Sequence, residues 1–159
     1  MPVKLRPGQL SDGEWVAIPG RPVGKQRPRM TKSGRAYTPQ KTQRWESMAR
    51  AIFSIGWKAR LIDGPVRVEI RQVEQRPQRF KGPPGRHPCP AGGTHPDADN
   101  VAKIVLDAMT KTKRIWRDDA QVTELICFKV WAAEREGPAV EVRVTSVELD
   151  DQLNLWGVR

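Results

Sequence analysis

Two pairs of aspartates flank one apolar helical pattern within residues 95–122, and this arrangement is the strongest constraint in the sequence. Asp97 and Asp99 precede the pattern, and Asp118 and Asp119 follow it. Two carboxylates about 4 Å apart repel each other by roughly 4 kcal/mol at an effective dielectric near 20. If the fold brings the pairs together, protons or a cation must offset their charge. We favour a divalent cation.

The charge balance of the chain indicates a polyanionic partner. Its 159 residues carry a formal net charge of +10 and give a pI of about 10.2. Such an excess is typical of proteins that bind nucleic acid or an anionic membrane surface. Because the sequence has no run of about 18 apolar residues and no signal-peptide core, we expect a cytoplasmic protein.

The cysteines do not indicate a disulfide or a zinc site. Cys89 and Cys127 are expected to be free thiols, since a chain of this size in a reducing compartment does not need a bridge. His87 and His95 lie near Cys89, but their spacing matches none of the usual zinc-ligand patterns.

Hydrophobic periodicity predicts a single domain with two helices and several strands. Alternating or β-branched runs place strands at residues 14–18, 66–71, 122–131 and 139–147, the last two as a hairpin. With basic loops and helices between them, the order indicates an α/β or α+β domain in which two main helices pack on a small mixed sheet. We assign residues 1–13 to an extension, 14–148 to the domain and 149–159 to a tail.

The two helices have distinct start signals. Thr38 is predicted as the N-cap of the first helix, with Pro39 at the first helical position. The second helix is predicted from Asn100 to about Lys111. The apolar face of the first helix comprises Trp45, Met48, Ala49, Ile52, Phe53 and Ile55, and that of the second Ile104, Val105, Ala108 and Met109.

Two acid-free segments, at residues 19–45 and 75–95, carry most of the candidate DNA contacts. Both are rich in Pro, Gly and basic residues, so we predict irregular loops. A solvated surface loop is the ordinary alternative, but the absence of compensating carboxylates favours contacts to phosphates. Residues 20–25 lack the spacing of a nucleotide-binding loop. The candidate DNA-binding residues are Lys25, Arg27, Arg29, Lys32, Arg35, Arg76, Arg79 and Lys81.

The aspartates before the second helix have the spacing of a metal site. In an extended backbone, Asp97 and Asp99 leave the same face with their Cα atoms about 6 to 7 Å apart. Mg²⁺ commonly takes one or two protein carboxylates and fills its other positions with water and phosphate. Lys103 and Asp107 follow Asp99 at four-residue spacing, so the three side chains share a second helix face.

Ordinary structural roles could explain each of these residues separately. Asp97 or Asp99 could be an N-cap, Lys103 and Asp107 a surface ion pair, and Asp118 part of a turn. The spacing does not decide whether the chain returns Asp118 and Asp119 to the helix N-terminus. The active-site interpretation depends on their convergence with Asp97 and Asp99 on one divalent cation, and a structure that places Asp119 too far from both would contradict it.

The segments HPDADNVAKIVLDAMT and IWRDDAQV closely resemble the signature of the RusA family of Holliday junction resolvases, which is common in bacterial prophages. The segment PGRPVGKQRPRMTKSGRAYTPQKTQRWE is similar to the start of that family's phage-type members. The resemblance extends over residues 15–147. It matches Asp97, Asp99 and Asp119 to the acidic positions of the family motif and Lys103 to its lysine, while Asp118 matches a further acidic position.

This resemblance implies a homodimeric endonuclease that cuts four-way DNA with Mg²⁺, for which Mn²⁺ is a possible substitute. Asp97, Asp99 and Asp119, with Asp118 as the alternative ligand, would hold the metal. Lys103 would offset transition-state charge or position the attacking water. The alternatives are a Mg²⁺-dependent nuclease that acts on forks or flaps, and a catalytically inert DNA-binding phage module.

Overall fold

A five-stranded mixed sheet forms the centre of the protein, as seen in a computed structural model that describes residues 13–89 and 95–148. Nearly all of the predicted extension, and the whole predicted tail, lie outside the described residues. The sheet order is β1-β7-β4-β6-β5, and a separate two-stranded hairpin consists of β2 and β3. The strands are β1 Trp15–Pro19, β2 Arg29–Met30, β3 Ala36–Tyr37, β4 Val66–Glu74, β5 His87–Pro88, β6 Val122–Trp131 and β7 Ala139–Ser146.

Both main helices pack on one face of the sheet and form a single hydrophobic core with it. They are α1 Gln40–Gly56 and α2 Ala98–Thr112. The two-layer arrangement confirms the predicted fold class, a mixed sheet with two helices. The fully buried core side chains include Phe53 of α1, Ile104, Val105 and Met109 of α2, and Val66, Val68, Ile70, Val142 and Val144 of the sheet.

The predicted hairpin of β6 and β7 is wrong, because β4 lies between these strands. β4 runs parallel to β6 and antiparallel to β7. Ion pairs on the sheet face opposite the helices join β4 to both neighbours: Arg67 pairs with Glu124, and Glu69 accepts from Arg143 at 2.6 Å. Alternation in a sequence identifies strands, but these long-range contacts determine which strands are partners.

Helix α1 begins later than predicted and buries a narrower face. Pro39 occupies the N-cap position without a side-chain capping bond, so the assignment of Thr38 as the cap is wrong. Gln43 instead donates to the Thr38 carbonyl at 2.8 Å. Met48 and Ile55 are 38% and 68% exposed, because the face in contact with the sheet and α2 is centred on Trp45, Ala49 and Phe53.

The first basic segment is also more regular than predicted. Its β2–β3 hairpin turns at Gly34, which has a φ of +78° that favours glycine. Gly34 N donates to the Thr31 carbonyl at 2.9 Å.

Candidate active site

Asp97 and Asp99 lie at the start of α2 with their carboxylates free of capping bonds. Asp97 is the N-cap residue, but its side chain forms no capping hydrogen bond. Asp99 is in the first turn, where Lys103 Nζ lies 3.4 Å from its Oδ2. Both residues are exposed. Asp97 is therefore at an N-cap position, but its carboxylate oxygens form no capping bond.

Buried polar side chains of β4 hold the segment that leads into α2. Gln72 Nε2 donates to the Pro96 carbonyl at 2.8 Å, and His95 Nδ1 lies 3.2 Å from Glu74 Oε2. The start of α2 is thus attached to the C-terminal end of β4.

The first basic segment packs directly against this helix start. Lys25 N donates to the Asn100 carbonyl at 2.8 Å. At Gly24 a Cβ would lie 3.0 Å from Asn100 Cβ and 3.2 Å from Pro96 Cβ, so only glycine fits here without a shift. The loop that carries the candidate DNA contacts therefore begins beside Asp97.

The ammonium group of Lys25 joins both helices. Its Nζ lies 2.9 Å from Glu46 Oε2 on α1 and 2.6 Å from Asp107 Oδ2 on α2. Burial acts to lower the pKa of Lys25, but the hydrogen bonds to Asp107 and Glu46 outweigh burial and raise it. Asp107 therefore pairs with Lys25 and Lys103 with Asp99, so the alternative of a surface ion pair between Lys103 and Asp107 is wrong. The structural role of Lys25 argues against the DNA contact that the sequence predicted for it, which the structure does not test.

Asp118 and Asp119 occupy a 3-10 turn before β6 and differ in what they contact. Asp118 Oδ1 accepts from Ala120 N at 2.8 Å in a capping box with Gln121. Asp119 is exposed, and its carboxylate has no hydrogen bond or ion pair with the described residues. Gln121 Nε2 donates to the Gly64 carbonyl at 2.9 Å, which ties the turn to the segment before β4.

The two aspartate pairs of one chain consequently lie at opposite ends of β4. Gln72 contacts the segment before Asp97, whereas Gly64 contacts the turn that contains Asp119. Within β4, Val66 and Gln72 are six residues apart, which at about 3.3 Å per residue separates these ends by roughly 20 Å. Among the described residues, no group of three or more His, Cys, Asp or Glu side chains could hold a metal ion.

The expectation that one chain brings Asp119 to Asp97 and Asp99 is therefore wrong. Because β4 and β6 are parallel, the helix that joins them runs in the opposite direction. The 15 residues of α2 span about 22 Å, so its start and the turn after it lie far apart. The metal-binding roles of these residues stay predictions.

A cationic cleft of about 420 Å³ borders Pro96 and includes residues that the sequence did not single out. Arg21 and Lys41 line it together with Arg76 and His95. The absence of acids from residues 19–45 indicated a cationic segment, which includes Arg21 and Lys41. Residue spacing did not show that these two side chains line the cleft beside Pro96.

The remaining candidate DNA-binding residues divide into exposed and structural cations. Arg76 donates to the carbonyls of Gly82, Pro83 and Gly85 and lies 4.7 Å from the centroid of the Phe80 ring. It therefore shapes the second basic loop. The exposed candidates are Arg27, Arg29, Lys32 and Arg35 on or beside the β2–β3 hairpin, and Arg79 and Lys81 on the second loop.

Gln72 and Glu74 contact the segment before Asp97, and the sequence analysis missed both. A signal for them exists, because strand alternation puts them on the same face as Val66, Val68 and Ile70. Two polar residues on the core face of a central strand are unusual and indicate a local requirement.

None of the helices in the described part of the chain is both long and apolar enough for a membrane span. No curated protein matches the sequence. A family model described as "Endodeoxyribonuclease RusA" matches residues 19–145, which include both helices and all four aspartates. The chain therefore belongs to the RusA endodeoxyribonuclease family.

Proposed function

We propose that the protein is a Mg²⁺-dependent endonuclease that resolves Holliday junctions by paired, symmetric nicks in DNA recombination and repair. The observation that carries this proposal is the start of α2. There, two exposed carboxylates without capping bonds stand beside an ammonium group, within the region that matches an endodeoxyribonuclease family. A chain charge of +10 suits a polyanionic substrate.

The donor set fits Mg²⁺, which prefers carboxylate oxygens and keeps sites for water and phosphate. Asp97 and Asp99 would supply two ligands. We assign the third to Asp119, because the carboxylate of Asp118 already caps the 3-10 turn. When bound, Mg²⁺ supplies Lewis acidity towards the scissile phosphate and a more acidic water as nucleophile. Mn²⁺ has the same ligand preferences and would serve as a substitute.

Cationic side chains near the proposed metal site would stabilise charge and contact the DNA strand. Lys103, at 3.4 Å from Asp99, offsets negative charge that develops on the phosphate. Arg21 and Lys41 line the adjacent cleft and would contact neighbouring phosphates of the strand. The hairpin that carries Arg29 and Arg35 would provide further cationic contacts to the DNA.

We further propose that a second copy of the chain supplies Asp119. The outer edge of β6 pairs with β5 only at Val130 and Trp131, so most of that edge is open in the described structure. Leu125, Ile126 and Phe128 on this strand are 46%, 37% and 48% exposed. An open strand edge with exposed apolar side chains is suited to pairing with an identical strand.

A two-fold axis at this edge would bring Asp119 of one chain towards Asp97 and Asp99 of the other. It would pair two β6 strands antiparallel, so that the Asp119 end of one strand meets the Trp131 end of the other. The Trp131 end is the Asp97 end, because Trp131 pairs with Glu74 and Glu74 contacts His95, which lies two residues before Asp97. Two equivalent composite sites would also provide the paired cuts.

The direct test uses a labelled mobile four-way junction with and without Mg²⁺. We expect symmetric nicks in opposed strands only with Mg²⁺, and little competition from a linear duplex of equal length. Equal competition by the duplex, or preferential cutting of forks or flaps, would reject junction resolution. No cutting, and no saturable Mg²⁺ binding that depends on Asp97 and Asp99, would indicate an inert DNA-binding module.

A further inference from the structure

The C-terminal end of β4 buries two polar side chains where the pattern of the strand calls for apolar ones. Gln72 is 1% exposed and Glu74 is 4% exposed. Val66, Val68 and Ile70 precede them on the same face of the strand and belong to the core. Burial of polar groups costs free energy unless hydrogen bonds compensate it, and a buried charge costs more.

The polar contacts of these two side chains join them to each other and to the segment before Asp97, whereas Gln72 Oε1 has no hydrogen bond with the described residues. Gln72 Nε2 donates to Glu74 Oε1 at 2.6 Å and to the Pro96 carbonyl at 2.8 Å. Glu74 Oε2 lies 3.2 Å from His95 Nδ1. One amide and one carboxylate therefore hold two consecutive residues that immediately precede Asp97.

This attachment has a mechanical consequence for the aspartates. The sequence between β4 and Asp97 is rich in Pro and Gly, so contacts to β4 help to fix where Asp97 lies. The first helical bond of α2 joins Val101 N to the Asp97 carbonyl at 3.1 Å, so the start of the helix depends on where Asp97 is held.

We propose that Gln72 and Glu74 are positioning residues that set Asp97 and the first turn of α2 for metal binding. The inference rests on the proposed Mg²⁺-dependent function. Gln72 is buried and contacts the site through Pro96. Glu74 borders the cleft beside Pro96, but it is only 4% exposed and contacts His95, so neither side chain is expected to bind the substrate or the metal. Groups that orient metal ligands in this way typically affect metal affinity by about 10- to 100-fold.

The experiment compares Gln72→Met and Glu74→Leu with Val73→Ala. Val73 is fully buried in the same strand but takes no part in the polar link, so Val73→Ala controls for lost stability. We expect Gln72→Met and Glu74→Leu to raise the Mg²⁺ concentration for half-maximal nicking by about 10- to 100-fold. The nicking rate should largely recover at saturating Mg²⁺. Glu74→Gln, which keeps an acceptor for Gln72, should be affected less.

Val73→Ala should lower the Tm without moving the Mg²⁺ midpoint. Suppose that Gln72→Met and Val73→Ala lower the Tm by similar amounts and require the same Mg²⁺ concentration for half-maximal nicking. The inference is then overturned, while the nuclease function stands.

A second readout does not depend on activity. Amide hydrogen exchange of Val101 in the metal-free protein reports the first bond of α2, with the mid-helix amides of Ile104 and Val105 as internal references. We expect faster exchange at Val101 in Gln72→Met and no change in Val73→Ala. Unchanged exchange in Gln72→Met overturns the inference whether or not the wild-type protein cuts junctions, whereas failure of the wild type to cut rejects the proposed function itself.

Discussion

Asp97 occupies the N-cap position of α2, but its side chain forms no capping hydrogen bond. Substitution of Asp97 should therefore change activity with little effect on stability. We expect Asp97→Asn to lower the rate of junction cleavage by at least about 100-fold, because the metal and the phosphate lose a charged partner. Since no capping bond is lost, the Tm should change little. Junction binding, measured by gel shift, should be unchanged or tighter because less negative charge faces the phosphates.

The control is Asp63→Asn, which removes an exposed carboxylate that pairs with Arg117 on the surface. Its cleavage rate should match that of the wild type. Wild-type cleavage by Asp97→Asn would remove Asp97 from the reaction.

Asp118 and Asp119 are adjacent but should give opposite phenotypes. Asp118→Ala removes the cap of the 3-10 turn and should cost about 1 kcal/mol of stability. That loss lowers the Tm by roughly 2 to 4 °C in a domain of this size and leaves most of the cleavage activity. Asp119→Asn should abolish cleavage with an unchanged Tm. Thermal melting and single-turnover cleavage of both variants would check this, and the reverse pattern would assign the metal ligand to Asp118.

At the scale of elements, an ion-pair network connects α1, α2 and the first basic segment. Lys25 and Lys111 both contact Glu46, a largely buried carboxylate. Burial acts to raise the pKa of Glu46, but the hydrogen bonds from Lys111 and Lys25 outweigh it and lower the pKa below its ordinary value. The network should therefore stabilise the fold at neutral pH more than in acid.

The direction of this pH dependence follows from linkage. A carboxyl group whose pKa is lowered by folding stabilises the protein above its unfolded pKa and loses that contribution as the pH falls through its folded pKa. We expect Glu46→Gln to lower stability at pH 7 and to reduce the loss of stability on acidification. Urea unfolding across this range measures it, with the exposed Glu134→Gln as control. A parallel pH dependence of wild type and Glu46→Gln would contradict the role given to the network.

Local pattern was sufficient to locate α2 and the four longest strands, but not the two-residue strands β2, β3 and β5 and not the arrangement of the sheet. The apolar positions of α2, from Ile104 to Met109, are buried as predicted. The partners of β4 depend on contacts such as Arg143 with Glu69, which are 74 residues apart. The direction of the β4–α2–β6 crossover placed Asp119 at the wrong end of the sheet for a site within one chain. Residue spacing contains no information on that direction.

For the whole molecule, charge should control affinity for the junction. Log K should fall linearly with log salt, with a slope of about 0.9 for each phosphate contacted. Arg29→Ala and Arg35→Ala should each reduce the slope by about 1 if they contact phosphates. Lys25→Met should instead lower the Tm and leave the slope nearly unchanged, because its ammonium lies between Glu46 and Asp107. Fluorescence anisotropy at several salt concentrations provides the slopes, and a flat response would exclude the basic loops from DNA binding.

We propose that carboxylates from opposite ends of the sheet meet only when two copies of the chain pair. Mixed dimers, prepared by co-expression of Asp97→Asn and Asp119→Asn chains with different affinity tags, would show whether they do. In each mixed dimer one site would lose both residues, and the other would combine wild-type Asp97 of one chain with wild-type Asp119 of its partner. We therefore predict that two inactive variants together regain nicking of one junction strand, at roughly half the wild-type rate because one of the two symmetric sites is intact. Mixed dimers as inactive as their parents, under conditions in which the wild type cuts, would contradict the account.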